Sequence, residues 1–158
     1  MPRQVSAGLL MFNESKNGLK VFLVHPGGPF FAKKEDGYWG IPKGLIEENE
    51  EILSAAKREF EEETGIKPTG RLIPLGTVIQ SNNKEVNAWA FRTNNDKPIE
   101  ITCNTFEMEW PPHSSKKQKF PEVDKGEFFT IEEALKKMYS AQHSFLERLE
   151  EYLKNNRG

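Results

Sequence analysis

Several features that would direct a search for function are scarce in this 158-residue sequence. It contains one cysteine, Cys103, so no internal disulfide can form. No apolar run approaches the roughly 20 residues needed to cross a bilayer. The amino terminus also lacks the charged region, apolar stretch and cleavage site of a secretory signal. We therefore expect a protein of the reducing cytoplasm with no membrane partner.

The charge balance excludes a second set of functions. The 22 Lys and Arg residues nearly match the 24 Asp and Glu residues, which gives a net charge of −2. A general nucleic-acid binder carries a dominant basic patch, so we expect no nucleic-acid partner. The three histidines, His25, His113 and His143, are dispersed along the chain, which is more typical of structural residues than of metal ligands.

The order of predicted elements indicates the fold. Apolar runs predict strands at residues 5–12, 19–25, 71–80, 85–93 and 123–129. A helix is predicted from near Glu50 to a left-handed Gly65, and Thr130 opens a terminal helical region with a break near Ser140. Residues 26–36 and 94–119 are predicted to be irregular, and Pro42 with Gly44 to form a turn. We expect one domain over residues 1–158, an α/β/α sandwich with a mixed β-sheet.

Carboxylates occupy helical positions where a packed helix would bury apolar side chains. At about 100° per residue, one stripe begins inward-facing and apolar with Ile52 and Ala56. It continues with Glu59 and Glu63, and Glu62 lies beside it. Buried acids need a positive partner, and hard divalent cations accept several oxygen ligands. The pattern therefore predicts a Mg²⁺ or Mn²⁺ site, whereas the alternative is a solvated helix face with coincidental acids.

The spacing around these acids is more specific than the acids themselves. The segment has Gly44, Glu50, the run Arg58-Glu59-Phe60, the pair Glu62-Glu63, and Gly65-Ile66. With average residue usage, these nine positions arise by chance in such a chain with a probability on the order of one in ten million. The segment resembles the Nudix box, the signature of the Nudix hydrolase family, with no departures. The stretches SAGLLMF, VFLVHPGG, WGIPKG and FPEVDKGEFFTIEEA also look like family members.

The resemblance implies both a fold and a chemistry. It implies the same α/β/α sandwich and hydrolysis of a phosphoanhydride bond with the help of a divalent metal ion. The implied metal ligands are Glu59, Glu62, Glu63 and the backbone carbonyl of Gly44. Glu59, or a carboxylate from a loop, would take the proton from the attacking water, and Glu62 belongs to the same catalytic group.

Residues next to the acids are assigned from their positions. Arg58 lies outside the acidic stripe but could reach a carboxylate and hold it by a bidentate pair, or it could be an exposed arginine. Glu50 fits either the positive end of the helix dipole or a supporting role in the site. Lys43, in the turn, is the natural contact for a phosphate, although a solvated lysine is the alternative.

Two further sets of candidates lie late in the chain. Among the possible additional carboxylates Glu107, Glu109, Glu122 and Asp124, we favour Glu122 or Glu109. The segment 106–120 combines Trp110 with the basic residues Lys116, Lys117 and Lys119. A nucleobase could stack on the indole while the lysines contact a polyphosphate. The alternative is a surface loop pinned by Trp110 in the core.

The sequence specifies the bond that is cleaved more closely than the substrate that contains it. Family members acting on ADP-ribose often carry a proline some sixteen residues beyond the box, and those acting on dinucleoside polyphosphates a tyrosine. This chain has QSNNKE there and neither marker. The WGIPKG segment looks most like the diadenosine polyphosphate hydrolase branch, which gives the leading substrate. Alternatives are ADP-ribose or another sugar nucleotide, or a nucleoside triphosphate. A nucleotide-binding sensor without turnover is a different class, and it predicts a damaged box.

Overall fold

A mixed six-stranded sheet with helices on both faces forms the centre of the fold. The computed structural model describes residues 3–16, 18–95 and 99–156, without the side chain of Asn82. The strands are β1 (Gln4–Ser15), β2 (Gly18–Pro26), β3 (Lys43–Leu45), β4 (Ile73–Gln80), β5 (Lys84–Arg92), β6 (Thr105–Glu109), β7 (Lys117–Pro121) and β8 (Val123–Thr130). The helices are α1 (Ile52–Thr64), α2 (Ile131–Lys137) and α3 (His143–Asn155). Short 3₁₀ turns lie at Ser81–Asn83 and Ser140–Gln142.

Strand β1 lies at the centre of the sheet. The strand order is β4-β5-β1-β2-β8, with β3 paired to β1. The pairing of β1 with β5 is parallel and the other pairings in this sheet are antiparallel. Residues 6–13 of β1 are all buried, because both faces of the strand are covered. The predicted mixed sheet and α/β architecture are confirmed.

Alternation along β1 divides the core between the two faces of the sheet. Leu10 and Phe12 point to the face covered by α3, which buries Phe145, Leu146, Leu149 and Leu153 there. Leu9 and Met11 point to the opposite face, which α1 covers with Ala55, Ala56 and Phe60. The spacing of the α3 residues matches the predicted terminal helix. None of the described helices is long and apolar enough to cross a membrane.

The segment that leads into β3 passes through a gap between two strands that pair with the same edge of β1. Strand β2 pairs with residues 12–15 of β1, and β3 pairs with residues 6–8 along the same edge. Between them, Val24 N–H donates to the Gly40 carbonyl at 2.9 Å and Leu9 N–H donates to the Pro42 carbonyl at 3.2 Å. A Cβ on Gly8 would lie 2.4 Å from the Pro42 oxygen, so only glycine allows this approach. The gap fixes where β3 meets α1.

Several local predictions are confirmed and others are wrong. Gly65 ends α1 with a left-handed φ of 78°, Thr130 forms a capping box with Glu133, and the terminal helix breaks before Ser140. The prediction that Ile52 faces inward is wrong, because its side chain is exposed and Ala55 shares the buried face instead. The turn predicted around Gly44 is strand β3, which is only three residues long.

The segment predicted to be irregular contains a hairpin. Strands β6 and β7 pair with Phe106 opposite Phe120, and with Glu107 and Glu109 opposite Lys119 and Lys117. Their rings face one side and the charged residues face the other. The alternation was not recognised because most of its members are polar or charged.

Candidate active site

Helix α1 presents its carboxylates to strand β3. A Cβ on Gly44 would lie 2.0 Å from Oε2 of Glu59, so the carboxylate rests directly against the glycine backbone. The Glu59 side chain is 13% exposed and that of Glu62 is 37% exposed. Gly44 is therefore required for the close approach of strand and acid, and the two residues come together as the sequence predicts.

Arg58 lies at the centre of the acids. Its Nε and Nη2 donate to the two oxygens of Glu50 at 2.8 and 2.9 Å. Its Nη1 donates to Glu59 Oε1 at 2.8 Å and to Glu62 Oε2 at 3.0 Å. The bidentate pair expected of Arg58 is formed with Glu50, so Glu50 holds the arginine rather than only facing a helix end. These hydrogen bonds lower the pKa of Glu50 to about 2.

Burial opposes the ionisation of Glu63 and Glu59. Glu63 Oε2 accepts a hydrogen bond from Lys43 N–H at 2.8 Å, yet burial raises the pKa of Glu63 to about 8. Burial also raises the pKa of Glu59, although Arg58 acts in the opposite direction. The pKa of the Lys43 ammonium is lowered by burial, with Glu63 opposing this. The site is thus crowded with acids that need more positive charge than Arg58 supplies.

Among the candidate carboxylates late in the chain, Glu122 interacts electrostatically with the acids of α1. It follows β7, its pKa is raised by burial and then by the charge of Glu62, and its charge in turn affects Glu59 and Glu63. Its carboxylate forms no hydrogen bond or ion pair within the described residues. Glu109 instead accepts Ser115 N–H at 2.6 Å, and Glu107 faces Lys119 across the hairpin.

The remaining candidate, Asp124, is also engaged elsewhere. It lies 2.8 Å from Nδ1 of the fully buried His25. The Nε2 of His25 contacts the carbonyl of Lys34, so this histidine has a structural position as expected. Of the two favoured carboxylates, the electrostatic interactions with Glu59, Glu62 and Glu63 favour Glu122, whereas Glu109 is bonded within the hairpin.

The hairpin carries the predicted substrate-binding residues away from the core. Trp110 is half-buried and belongs to neither hydrophobic core cluster, so the alternative that it pins a loop in the core is wrong. Lys117 pairs opposite Glu109 on the exposed face of the hairpin. Lys116 lies beside Trp110, because the backbone N–H of Trp110 donates to the Lys116 carbonyl at 2.9 Å.

Comparison with known proteins decides the family. The family model described as NUDIX domain matches residues 2–149. The chain belongs to the NUDIX domain family. Among curated relatives, Nudix hydrolase 7 of Arabidopsis thaliana is 44% identical over 62 residues, covering 39% of this chain and 21% of that protein. RNA pyrophosphohydrolase of Bartonella henselae is 37% identical over 71 residues, covering 42% of this chain and 38% of that protein. The chain therefore spans from about a fifth to two fifths of these relatives.

Solved structures share the NUDIX fold along nearly the whole chain. A C. elegans Ap4A hydrolase in a binary complex has a TM-score of 0.69 at 21% identity and covers 95% of this chain and 98% of its own. The NUDIX domain of Shewanella oneidensis NrtR, complexed with ADP ribose, has a TM-score of 0.67 at 20% identity and covers 97% and 90%. The predicted family and fold are confirmed.

The NUDIX motif residues converge on one site, where their carboxylates contact protein groups and are not arranged around a metal position. Within residues 3–16, 18–95 and 99–156, no group of three or more His, Cys, Asp or Glu side chains is arranged to hold a metal ion. The reason is visible in the contacts: Glu59 and Glu62 both turn to Arg58, and Glu63 turns to Lys43 N–H. In chemical type the donors fit a hard cation, since all are carboxylate oxygens beside a glycine backbone.

Sequence reasoning missed one exposed aromatic residue, which lies against the substrate-binding candidate Trp110. Phe30 is 64% exposed, and its ring lies 6.1 Å from that of Trp110. No periodicity marks it, because it lies in the loop after β2. The Pro-Gly-Gly-Pro run before it indicates only a turn.

Proposed function

We propose that this protein hydrolyses a phosphoanhydride bond in a nucleoside diphosphate linked to another group. The observation that carries the proposal is the grouping of three acids at β3: Glu59 lies against Gly44, Glu63 accepts Lys43 N–H, and Arg58 joins Glu59 to Glu62. Such a set has little structural benefit, because burying acids costs free energy unless a positive ligand arrives. Membership in the NUDIX family and relatives named as hydrolases support the same conclusion.

Glu59, Glu62, Glu63 and the carbonyl of Gly44 would hold a divalent cation, Mg²⁺ or Mn²⁺. The raised pKa values of Glu59 and Glu63 support this assignment, because a nearby cation would relieve the cost of their ionisation. When bound, the ion supplies charge neutralisation at the phosphate oxygens and lowers the pKa of water. Hard oxygen ligands also match these ions better than softer metals.

The protein's own residues have distinct parts in the reaction. Arg58, held by Glu50, keeps Glu59 and Glu62 in place. Glu122 or Glu59 would take the proton from water, because both have raised pKa values and a base works best with a pKa near the working pH. Lys43, on β3, would contact a phosphate oxygen, and Trp110 with Lys116 would contact the nucleotide. Lys117 is a weaker candidate because it faces Glu109.

Diadenosine polyphosphates are the leading substrate class. The fold shared with a C. elegans Ap4A hydrolase over 95% of the chain is compatible with this choice. ADP-ribose, other sugar nucleotides and nucleoside triphosphates are the alternatives. A relative named RNA pyrophosphohydrolase adds 5′-triphosphorylated RNA to the panel, although the nearly balanced charge favours a small nucleotide.

The decisive experiment is a product panel. Diadenosine tetraphosphate, ADP-ribose, nucleoside triphosphates and a 5′-triphosphorylated RNA are each incubated with Mg²⁺, with Mn²⁺ and with a chelator. We expect phosphate or nucleotide release from one class, and loss of release with the chelator. Turnover that ignores the chelator would reject the metal assignment.

A non-catalytic sensor is the competing class, and the same panel separates it. The intact set of Arg58, Glu59, Glu62 and Glu63 argues against it. Tight nucleotide binding without product under all metal conditions would favour the sensor. In that case substitution of Glu62 would leave binding of the nucleotide base intact.

A further inference from the structure

Glu122 lies at the junction between the hairpin and the core that α1 covers. It follows β7 directly, and its carboxylate forms no hydrogen bond or ion pair with the residues that the structure describes. The next residue, Val123, is 4% exposed and packs in the same core cluster as Ala56 and Phe60 of α1. The backbone around Glu122 therefore sets where its carboxylate lies relative to the acids of α1.

That backbone is held from two sides. Glu122 N–H donates to the Asn104 carbonyl at 3.0 Å, and Gly27 N–H donates to the Glu122 carbonyl at 2.9 Å. A Cβ on Gly27 would lie 1.9 Å from the Pro121 oxygen, so only glycine allows the loop after β2 to come this close. The position of the Glu122 backbone thus depends on where this loop, residues 26–36, begins.

A β-bulge beside Glu122 turns an acid toward β2. His25 pairs with Lys125 and Pro26 pairs with Val123, so Asp124 is an extra residue on β8. Bulges redirect side chains, and here Oδ1 of Asp124 lies 2.8 Å from Nδ1 of His25. This contact anchors the bulge, which lies two residues after Glu122.

The His25 ring joins the bulge to the far end of the same loop. The ring is fully buried, and its Nε2 donates to the carbonyl of Lys34, because a carbonyl oxygen can only accept. Burying a polar ring costs free energy unless its nitrogens are bonded, and an apolar side chain would pack there without that cost. The two polar contacts therefore explain why a histidine lies at this position.

We propose that His25 and Asp124 are positioning residues that hold the Glu122 carboxylate in place for the reaction. This inference rests on the proposed function, with Glu122 as the group that takes the proton from water. Neither residue touches the substrate: their contact fixes the bulge, and the bulge together with Gly27 fixes the Glu122 backbone. A displacement of about 1 Å can lower a rate by about 10²-fold, so loosening the bulge lowers kcat while the substrate still binds.

Asp124→Ala and Asp124→Asn test the contact on the best substrate of the product panel. We expect Asp124→Ala to lower kcat by about 10-fold or more with KM within about 2-fold, because the base is displaced while the binding residues stay. Asp124→Asn should keep kcat within about 3-fold of the wild type, because an amide can accept from or donate to Nδ1 of His25. Glu127→Ala removes the other acid of β8, which is also exposed, and should match the wild type. A kcat of Asp124→Ala equal to that of Glu127→Ala, or an equal loss in Asp124→Asn, overturns the proposal.

A second background separates positioning of Glu122 from general support of the fold. Glu122→Gln alone should lower kcat by about 10²-fold. In that background Asp124→Ala should change kcat by less than about 2-fold, because the group that it positions is already neutral. A loss as large as in the wild-type background, or a Glu122→Gln variant as active as the wild type, overturns the proposal. His25→Gln breaks the same contact from β2, so it provides the same cycle should Asp124→Ala not fold.

Amide hydrogen exchange gives a result that does not depend on hydrolysis. The Gly27 amide should exchange about 10-fold faster in Asp124→Ala than in the wild type or Asp124→Asn, because the bulge no longer holds the backbone next to it. The Leu9 amide, which donates to the Pro42 carbonyl, is the control and should be unchanged. Hydrolysis by the wild type, with Gly27 exchange and kcat both unchanged in Asp124→Ala, rejects the role of the contact and keeps the hydrolase. Faster Gly27 exchange in Asp124→Ala, when the wild type hydrolyses nothing, rejects the hydrolase and keeps the contact as the hold on Glu122.

Discussion

Helices α1 and α3 have the same length and cover opposite faces of one sheet, yet they differ in what they bury. Both have 13 residues. Helix α3 buries Phe145, Leu146, Leu149 and Leu153. Helix α1 buries two alanines, Phe60 and Thr64, and then places Glu59 and Glu63 against β3.

The difference teaches how the molecule divides stability from function. The α3 face gains hydrophobic free energy from large side chains. The α1 face gives up part of that gain and carries acids whose pKa values burial raises. A region that accepts such a cost in the absence of ligand is typical of a functional site. Substitutions on α3 should therefore alter stability without changing chemistry, and those in the acidic group of α1 the reverse.

The largest expected effect is on the α3 side. Phe145→Ala should lower the free energy of unfolding by about 3–5 kcal/mol, because it leaves a cavity in a fully packed core. The activity of the molecules that remain folded should be unchanged. Denaturant unfolding monitored by circular dichroism gives the first quantity, and active-site-normalised turnover gives the second. Leu135→Ala, at a 41% exposed position, is the control and should stay within about 0.5 kcal/mol.

Glu62→Gln should show the opposite behaviour on α1. We expect a loss of at least 10²-fold in kcat/KM, about 2.7 kcal/mol in transition-state stabilisation, because a metal-ligating carboxylate becomes neutral. Stability should change little, since Glu62 is partly exposed and its ion pair among the described residues is with Arg58. Glu61→Gln removes an exposed acid from the same helix and should keep wild-type activity. Equal activity in the two variants would remove Glu62 from the site.

The next largest effect is the pH dependence of stability, which should come from the buried acid on α1. Glu63 has its pKa raised from 4.5 to about 8, so the folded chain binds more protons than the unfolded chain between these values. The free energy of unfolding should therefore fall as pH rises from about 4.5 to 8, by at most about 1.4 kcal/mol per pH unit. Glu63→Gln should flatten this slope when measured by urea unfolding with a chelator present. If Glu63→Gln and the control Glu61→Gln show the same slope, Glu63 is not the group with the raised pKa.

The smallest expected effect concerns how the helices begin. Helix α2, on the α3 side, has a complete capping box between Thr130 and Glu133, whereas Glu51 before α1 makes no side-chain cap. Thr130→Ala should lower the free energy of unfolding by about 1 kcal/mol, because it removes the acceptor for Glu133 N–H. Thr130→Ser is the matched control and should retain most of the stability. Activity should be unchanged in both.

The sequence predicts some features on both faces of the sheet and misses others. The core of α3 was predicted because large apolar residues recur at helical spacing, and the acidic group because its spacing matches a specific motif. The exposure of Ile52 was not predicted, since periodicity gives a stripe but not its exact orientation. Strand β3 was missed because three residues carry no periodic signal, and it exists only through its pairing with β1.

The hairpin and its aromatic pair could not be read from the sequence for a different reason. Strands β6 and β7 alternate mostly polar residues, so their pattern resembles a solvated loop. Glu122 and Glu109 look alike in the sequence, and they differ only in the folded hairpin, where Glu109 accepts Ser115 N–H and lies opposite Lys117. The proximity of Phe30 to Trp110 joins segments 80 residues apart, and no local signal encodes such a contact.

Direct measurement of Mn²⁺ binding tests the central assignment, that the acids of α1 together hold a divalent cation. Free Mn²⁺ is quantified by electron paramagnetic resonance during titration of the wild type, Glu61→Gln and Glu62→Gln. We predict equal affinity for the first two proteins and an affinity weakened by about 10-fold or more for Glu62→Gln. Equal binding by all three proteins, or no binding by the wild type, would contradict the account.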